Sequence, residues 1–187
     1  MDLYTLLIMG HLVGSVLGVG GATMIEFHLN RALKDGKMNA DERNMLGADF
    51  LVTRIGLVLS ILTGLGFIYV YWMTNQMFRL ESGVFWGKMA MIVVIVVNAI
   101  LLDMHKIGLY WGSAFSFVSW WLAFVAGMFL THNIKIYAQD QLITFGIVIG
   151  FYIFAVVVGA NILHRLREWG KVVIPKEPIV ETPTQPK

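Results

Sequence analysis

Five histidines and one span-embedded lysine carry most of the chemistry that this 187-residue chain can offer, because it contains no cysteine. Thiolate metal sites, iron–sulfur clusters and covalent haem attachment are therefore excluded. An imidazole can still ligate haem iron or a divalent cation. His11 sits in LLIMGHLVGSVLGVGGA, inside an apolar run free of acidic and basic residues. On a helix, Gly14 and Gly18 fall at i+3 and i+7 from it, on nearly the same face. His11 would then overlook a flattened groove about two turns long, and a macrocycle ligated by that imidazole needs such a groove. The simpler reading is packing. Gly10, Gly14, Gly18 and Ala22 recur every four residues, a small-residue stripe that lets membrane helices approach closely. Both readings stand at this point, with Gly21 lying beyond the stripe beside Gly20.

Lys88 opens another apolar run, WGKMAMIVVIVVNAILL. It can hold a carboxylate such as a propionate, or extend to the headgroups. His11 lies about 12 Å below the end of its helix at 1.5 Å per residue. Lys88 enters from the same side at similar depth, so the two are expected to share one pocket. Asn98, deeper in that run, is expected to hydrogen-bond across helices. A second group gathers at the opposite membrane face: Glu26, His28, Asp49, Arg54, Asp103, His105, Asn161 and His164. Ion pairing and solvation account for most of it, with Arg54 pairing to Glu26, Asp49 or Asp103. Its three histidines could instead supply axial ligands for a second haem, or bind a divalent metal with Glu26 or Asp103. The candidate metal ligands are thus His11, His28, His105 and His164. His132 is expected to be exposed at the end of its span. Of Trp120 and Trp121, one is expected to face lipid and the other to pack inside. There is no HExxH, no phosphate loop and no nucleophile–base spacing.

The elements that must position these residues are membrane helices. The chain is 57% hydrophobic and 14% charged, against roughly 25% charged for a soluble domain. A bilayer core of about 30 Å needs about 20 apolar residues of helix. Five stretches qualify: Leu3–Ile25, Phe50–Trp72, Gly83–Leu102, Ile107–Leu130 and Gln141–Leu163. The expected fold is an all-α bundle of five transmembrane helices over residues 1–169, followed by a tail, 170–187. That tail holds all four prolines and reads as extended or disordered. Basic residues concentrate after spans one and five, at Arg31, Lys34, Lys37, Arg43, Arg165, Arg167 and Lys171. The other side offers Arg79 and Lys135. Positive residues stay inside, so the N-terminus is expected outside and the C-terminus in the cytoplasm. The first span lacks a basic leader and is too long for a signal-peptide core, so it is expected to be retained. A net charge of +2 gives no reason to expect a nucleic-acid partner. Small-residue series at Gly108, Gly112 and Ser116, and at Gly146 and Gly150, leave room for a homodimer.

The stretch LLIMGHLVGSVLGVGGA, a basic loop and then ADFLVTRIGLVLSILTGL resembles small bacterial integral-membrane proteins. These stand near the copper-resistance-D membrane domain and the HemJ-type protoporphyrinogen IX oxidases. The matching elements are His11 with Gly20-Gly21, the Thr63-Gly64 pair and Lys88 in WGKMAMIV. The resemblance covers about the first hundred residues. It implies a protein of the bacterial inner membrane with haem b as cofactor and His11 as an axial ligand, with Lys88 in the same functional pocket. Where the oxidases place a further histidine along the third helix, this sequence departs from them with Asn98-Ala99, and His105 follows about half a dozen residues later. Gly14, Gly18, Gly21, Asn98 and His105 complete the expected cofactor-binding set, and Lys88 is the expected catalytic residue. The leading expectation is a b-type haem protein in electron transfer or oxidoreduction, with a porphyrin or quinone partner. The alternatives are a protoporphyrinogen IX oxidase, a metal-handling or transport protein, and a structural membrane subunit.

Overall fold

A computed structural model describes residues 2–32, 38–131 and 140–172. The expectations for Lys34, Lys37, His132, Lys135, the Lys171 side chain and the proline-bearing tail lie outside the described residues. The described chain is helical throughout, with no strand. Five helices are long and apolar enough to cross a membrane: α1 (Leu3–Ala32), α2 (Ala40–Met73), α3 (Gly83–Asp103), α4 (Leu109–Thr131) and α5 (Gln141–Val172). In lipid no water is available to backbone groups, so helices that satisfy their own hydrogen bonds are the natural solution for such apolar runs.

Three helices run past the apolar stretches that announce them. α1 continues through EFHLNRA, α2 begins ten residues before Phe50, and α5 continues beyond Leu163. Apolarity marks where lipid ends, whereas a helix stops where its end groups are satisfied. The early start of α2 follows from a capping box: Asn39 Oδ1 accepts from Glu42 N at 2.8 Å, and Glu42 Oε2 accepts from Asn39 N at 2.9 Å. α1 opens similarly, with Asp2 accepting from Thr5 N at 3.1 Å. The Thr5 hydroxyl and amide hold this carboxyl below the usual carboxylate range. Between α2 and α3 lies a short 3-10 helix, Met77–Leu80, preceded by Asn75 at φ 54°. α3 and α4 are joined by a tight link in which His105 takes φ 55°.

α1 and α2 pack most closely, and the glycine stripe is the reason. A Cβ on Gly14 would lie 2.8 Å from both the backbone N and Oγ of Ser60. A Cβ on Gly56 would meet Gly14 O at 2.8 Å and Gly18 Cα at 2.9 Å. One on Gly18 would run into the Trp120 ring, and one on Gly21 into Thr53. The stripe is therefore filled by α2 and by an indole from α4. Gly20 has nothing within 4 Å of where its Cβ would be, as have Gly146 and Gly150 on α5. The interior core joins Val19 and Ala22 of α1 to Met91 and Ile95 of α3, Trp120 and Ala123 of α4, and Tyr152 and Val156 of α5.

Polar bonds tie the helices together where apolar packing alone would leave register free. Asn98 Nδ2 donates to Gly112 O at 2.8 Å, the interhelical bond expected of a mid-span asparagine. Ser119 Oγ and Tyr152 Oη are 2.8 Å apart between α4 and α5. At the end of the bundle that carries Ala32 and Asp103, Arg167 of α5 is 6% exposed and Glu26 of α1 is 4% exposed, and the two form an ion pair. The same guanidinium donates to Asn30 Oδ1 at 2.9 Å, Tyr110 O at 2.7 Å and Ser113 Oγ at 3.1 Å. One arginine thereby fastens α1, α4 and α5.

Candidate functional site

His11 and Lys88 meet inside the bundle. Lys88 Nζ lies 3.4 Å from His11 Nε2, and Thr63 Oγ1 lies 2.9 Å from His11 Nδ1. Thr63 spends its own proton on α2, donating to Leu59 O at 2.7 Å. Its oxygen can therefore only accept from the imidazole, which assigns the proton to Nδ1. The lone pair on Nε2 then faces the ammonium of Lys88, which donates to it. Phe67 closes the far side, its ring edge-on to the imidazole at 5.5 Å. An imidazole oriented through Nδ1 with Nε2 presented inward is the arrangement that ligating histidines share. Here Nε2 already has a partner.

The space beside this pair is small. A cavity of about 30 Å³ is lined by His11, Ser15, Ser60 and Lys88, with Leu57, Ile95 and the Trp120 indole among its other walls. That is room for about one water molecule. Sites for cofactor-sized molecules run to about 300–1,000 Å³, and the groove along Gly14 and Gly18 is occupied by α2 and Trp120. A porphyrin does not fit on His11 in this arrangement. The expected pairing of His11 with Lys88 is present, and the expected macrocycle groove is a helix contact.

A second cavity, of about 510 Å³, opens between α2 on one side and α3 and α4 on the other. Phe50, Thr53, Arg54 and Leu57 form one wall, and Ile95, Ala99, Leu102 and Asp103 the facing one. Trp120 and Ser116 form the floor from α4, and His105 with Gly108 border it from the link. Leu57, Ile95 and Trp120 line both cavities, so the same three side chains divide the small site from the large one. Arg54 pairs with Asp103 at the rim, both side chains about half exposed. Of the three carboxylates expected as partners, this is the one Arg54 takes. Glu26 goes to Arg167 and Asp49 to His28.

The histidines near this end do not converge. His28 bonds Asp49 at 2.5 Å between α1 and α2. His164 bonds the Tyr110 hydroxyl and stacks on Trp111 at 5.7 Å. His105 borders the large cavity. Among the described residues no three histidine or acidic side chains come together as a metal would need. Trp120 is the indole that packs inside, at 5% exposed, while Trp121, at 43%, faces outward. Asn98, placed with the cofactor set from sequence, spends its amide on Gly112. Gly21 packs on Thr53.

Two residues that matter in the structure, Ser60 and Arg167, do not stand out in the sequence. Ser60 gave no signal beyond its place in an apolar helix. Arg167 reads in sequence as a flanking positive charge, and the acidic Glu26 at the same depth is the signal for the buried pair it forms.

No family model matches the chain, and neither a curated protein nor a solved structure matches it. The chain is thus an all-helical protein, in its described residues, with five helices fit to cross a membrane, and the link to copper-resistance-D or HemJ-type proteins rests on the quoted motifs alone.

Proposed function

We propose that this protein binds an amphipathic, cofactor-sized molecule of the porphyrin class in the cleft between α2 and α3, and that haem b is that molecule. The observation that carries the reading is the cavity of about 510 Å³, which has the volume of a small-molecule site. Its lining suits a tetrapyrrole. Leu57, Ile95, Leu102 and Trp120 offer flat apolar walls, Arg54 at the rim can meet a carboxylate, and His105 supplies an imidazole. Bound there, haem would supply one-electron chemistry, which places the protein in electron transfer or oxidoreduction. Arg54 would orient the carboxylate edge toward the membrane face. Ala99 and Gly108, being small, leave the space open. His105, in its left-handed backbone conformation, is fixed by the turn and not by a helix.

The orientation follows the basic residues: N-terminus outside and C-terminus in the cytoplasm of a bacterial inner membrane.

Purification in mild detergent from haem-replete cells, followed by an absorbance spectrum, tests the reading. A Soret band is expected, shifted or lost in His105→Ala and lost in the cavity-filling Ala99→Phe. Loss in His11→Ala with His105→Ala unaffected would overturn the cleft as the site. A colourless wild-type protein overturns the proposal, and a quinone in its solvent extract would then name the occupant of the cleft.

A further inference from the structure

The small cavity beside His11 is lined by more hydrogen-bond donors than acceptors. Ser60 is 8% exposed and Trp120 5% exposed, and both line it. Ser60 Oγ and Trp120 Nε1 have no hydrogen-bond partner among the described residues. Leaving buried donors unmatched costs about 1–3 kcal/mol each, so two at one cavity ask for an occupant. Lys88 adds an ammonium with three donors, of which His11 Nε2 takes one. Among the described residues, Asp49 pairs with His28, Asp103 with Arg54 and Glu26 with Arg167, and none of these carboxylates serves Lys88. The one acceptor nitrogen in the wall, His11 Nε2, already receives the lysine.

A cation without a counter-charge inside a low-dielectric bundle is costly unless an anion joins it. Water could meet the donors and give its own protons to the Ser15 and Ser60 hydroxyl oxygens, but it would not neutralise the ammonium. A monatomic anion does both. The volume, about 30 Å³, suits a single-atom anion better than a phosphate or sulfate. We propose that Lys88, Ser60 and Trp120 form an intramembrane site for a halide ion, chloride under physiological conditions, with His11 holding the lysine in place. The site is separate from the cleft that would take a porphyrin. It stands or falls without it.

The test uses the full chain purified in a non-ionic detergent, with ionic strength held constant by exchanging sodium gluconate for sodium chloride or bromide. Gluconate is too large for the cavity. Wild type is expected to show a saturable rise in Tm of a few degrees with either halide, because a ligand that binds only the folded state stabilises it. Lys88→Met is expected to fold and to lose that dependence, since it removes the charge while keeping an unbranched side chain only one atom shorter. Bromide should quench a buried fraction of tryptophan fluorescence in wild type, and Trp120→Phe should lose that fraction. Equal Tm in halide and gluconate for wild type overturns the proposal. So does a halide response that persists unchanged in Lys88→Met, and so does the absence of buried bromide quenching in wild type.

Discussion

Replacing Gly56 with alanine tests whether the small-residue stripe of α1 is filled by a helix. The new methyl would point at backbone: Gly14 O at 2.8 Å and Gly18 Cα at 2.9 Å, with Gly18 N nearer still. Backbone atoms inside two helices cannot swing aside as a side-chain tip can, so α1 and α2 must separate. Overpacking of this kind costs about 1–3 kcal/mol. Alanine offsets part of that, being favoured over glycine in a helix by about 0.8–1.0 kcal/mol. The control is Gly20→Ala on the same stretch of α1, where a Cβ meets nothing within 4 Å and only the propensity gain applies. Gly56→Ala should therefore be less stable than Gly20→Ala by about 1–3 kcal/mol. Reversible unfolding in mixed SDS and non-ionic detergent, followed by circular dichroism, measures the difference. If the two variants unfold together, the stripe does not hold α2. The groove reading, with a ligand between the helices, would then regain its motive.

Other perturbations address the remaining contacts. Glu26→Leu leaves the guanidinium of Arg167 buried without its carboxylate, which should cost about 3–5 kcal/mol; Glu26→Leu with Arg167→Met should recover most of it in the same unfolding assay, and additive losses would show that the pair does not act as a unit. Arg54 and Asp103 are each about half exposed, so Asp103→Ala should cost no more than about 1 kcal/mol; a larger loss would mean the pair braces α2 against α3. Thr63→Val removes the acceptor of His11 Nδ1–H, and ¹⁵N NMR of labelled histidine should show the Nδ1–H tautomer in wild type and lose it in the variant. Because the sequence holds no cysteine, Asp2→Cys and Met104→Cys report topology directly: an impermeant maleimide applied to intact cells should label the first and spare the second.

The helices were legible because lipid imposes a single demand. Every span had to be a long apolar run, and no proline interrupts one. Their ends were less legible, since the Asn39–Glu42 capping box carries α2 outward through charged sequence that no lipid argument would include. Depth was also readable. Counting residues from the span ends placed His11 near Lys88, and the two side chains lie 3.4 Å apart. Azimuth was not readable, because knowing which face of α1 carries Gly14 does not say what faces it. That answer lies in Gly56 and Ser60, 42 and 46 residues away in the sequence, whose small size does not stand out in LVTRIGLVLSILTGL. The same limit separated Arg167 from Glu26: each was visible as a charge at the membrane face, but their pairing depends on α5 packing beside α1.

The two sites differ in how much they ask of the fold. The cleft needs only that α2 and α3 stay apart, which their separate packing on α1 and on α4 and α5 provides. The small cavity needs four residues from four helices in register: His11 on α1, Ser60 on α2, Lys88 on α3 and Trp120 on α4. Trp120 packs its ring against Gly18, within 2.2 Å of where a Cβ would lie. A bulkier residue at position 18 must therefore displace the indole from both cavities at once. Gly18→Val should abolish the halide dependence of Tm and perturb any chromophore in the cleft together. Loss of one response without the other would show that Trp120 is not the wall they share.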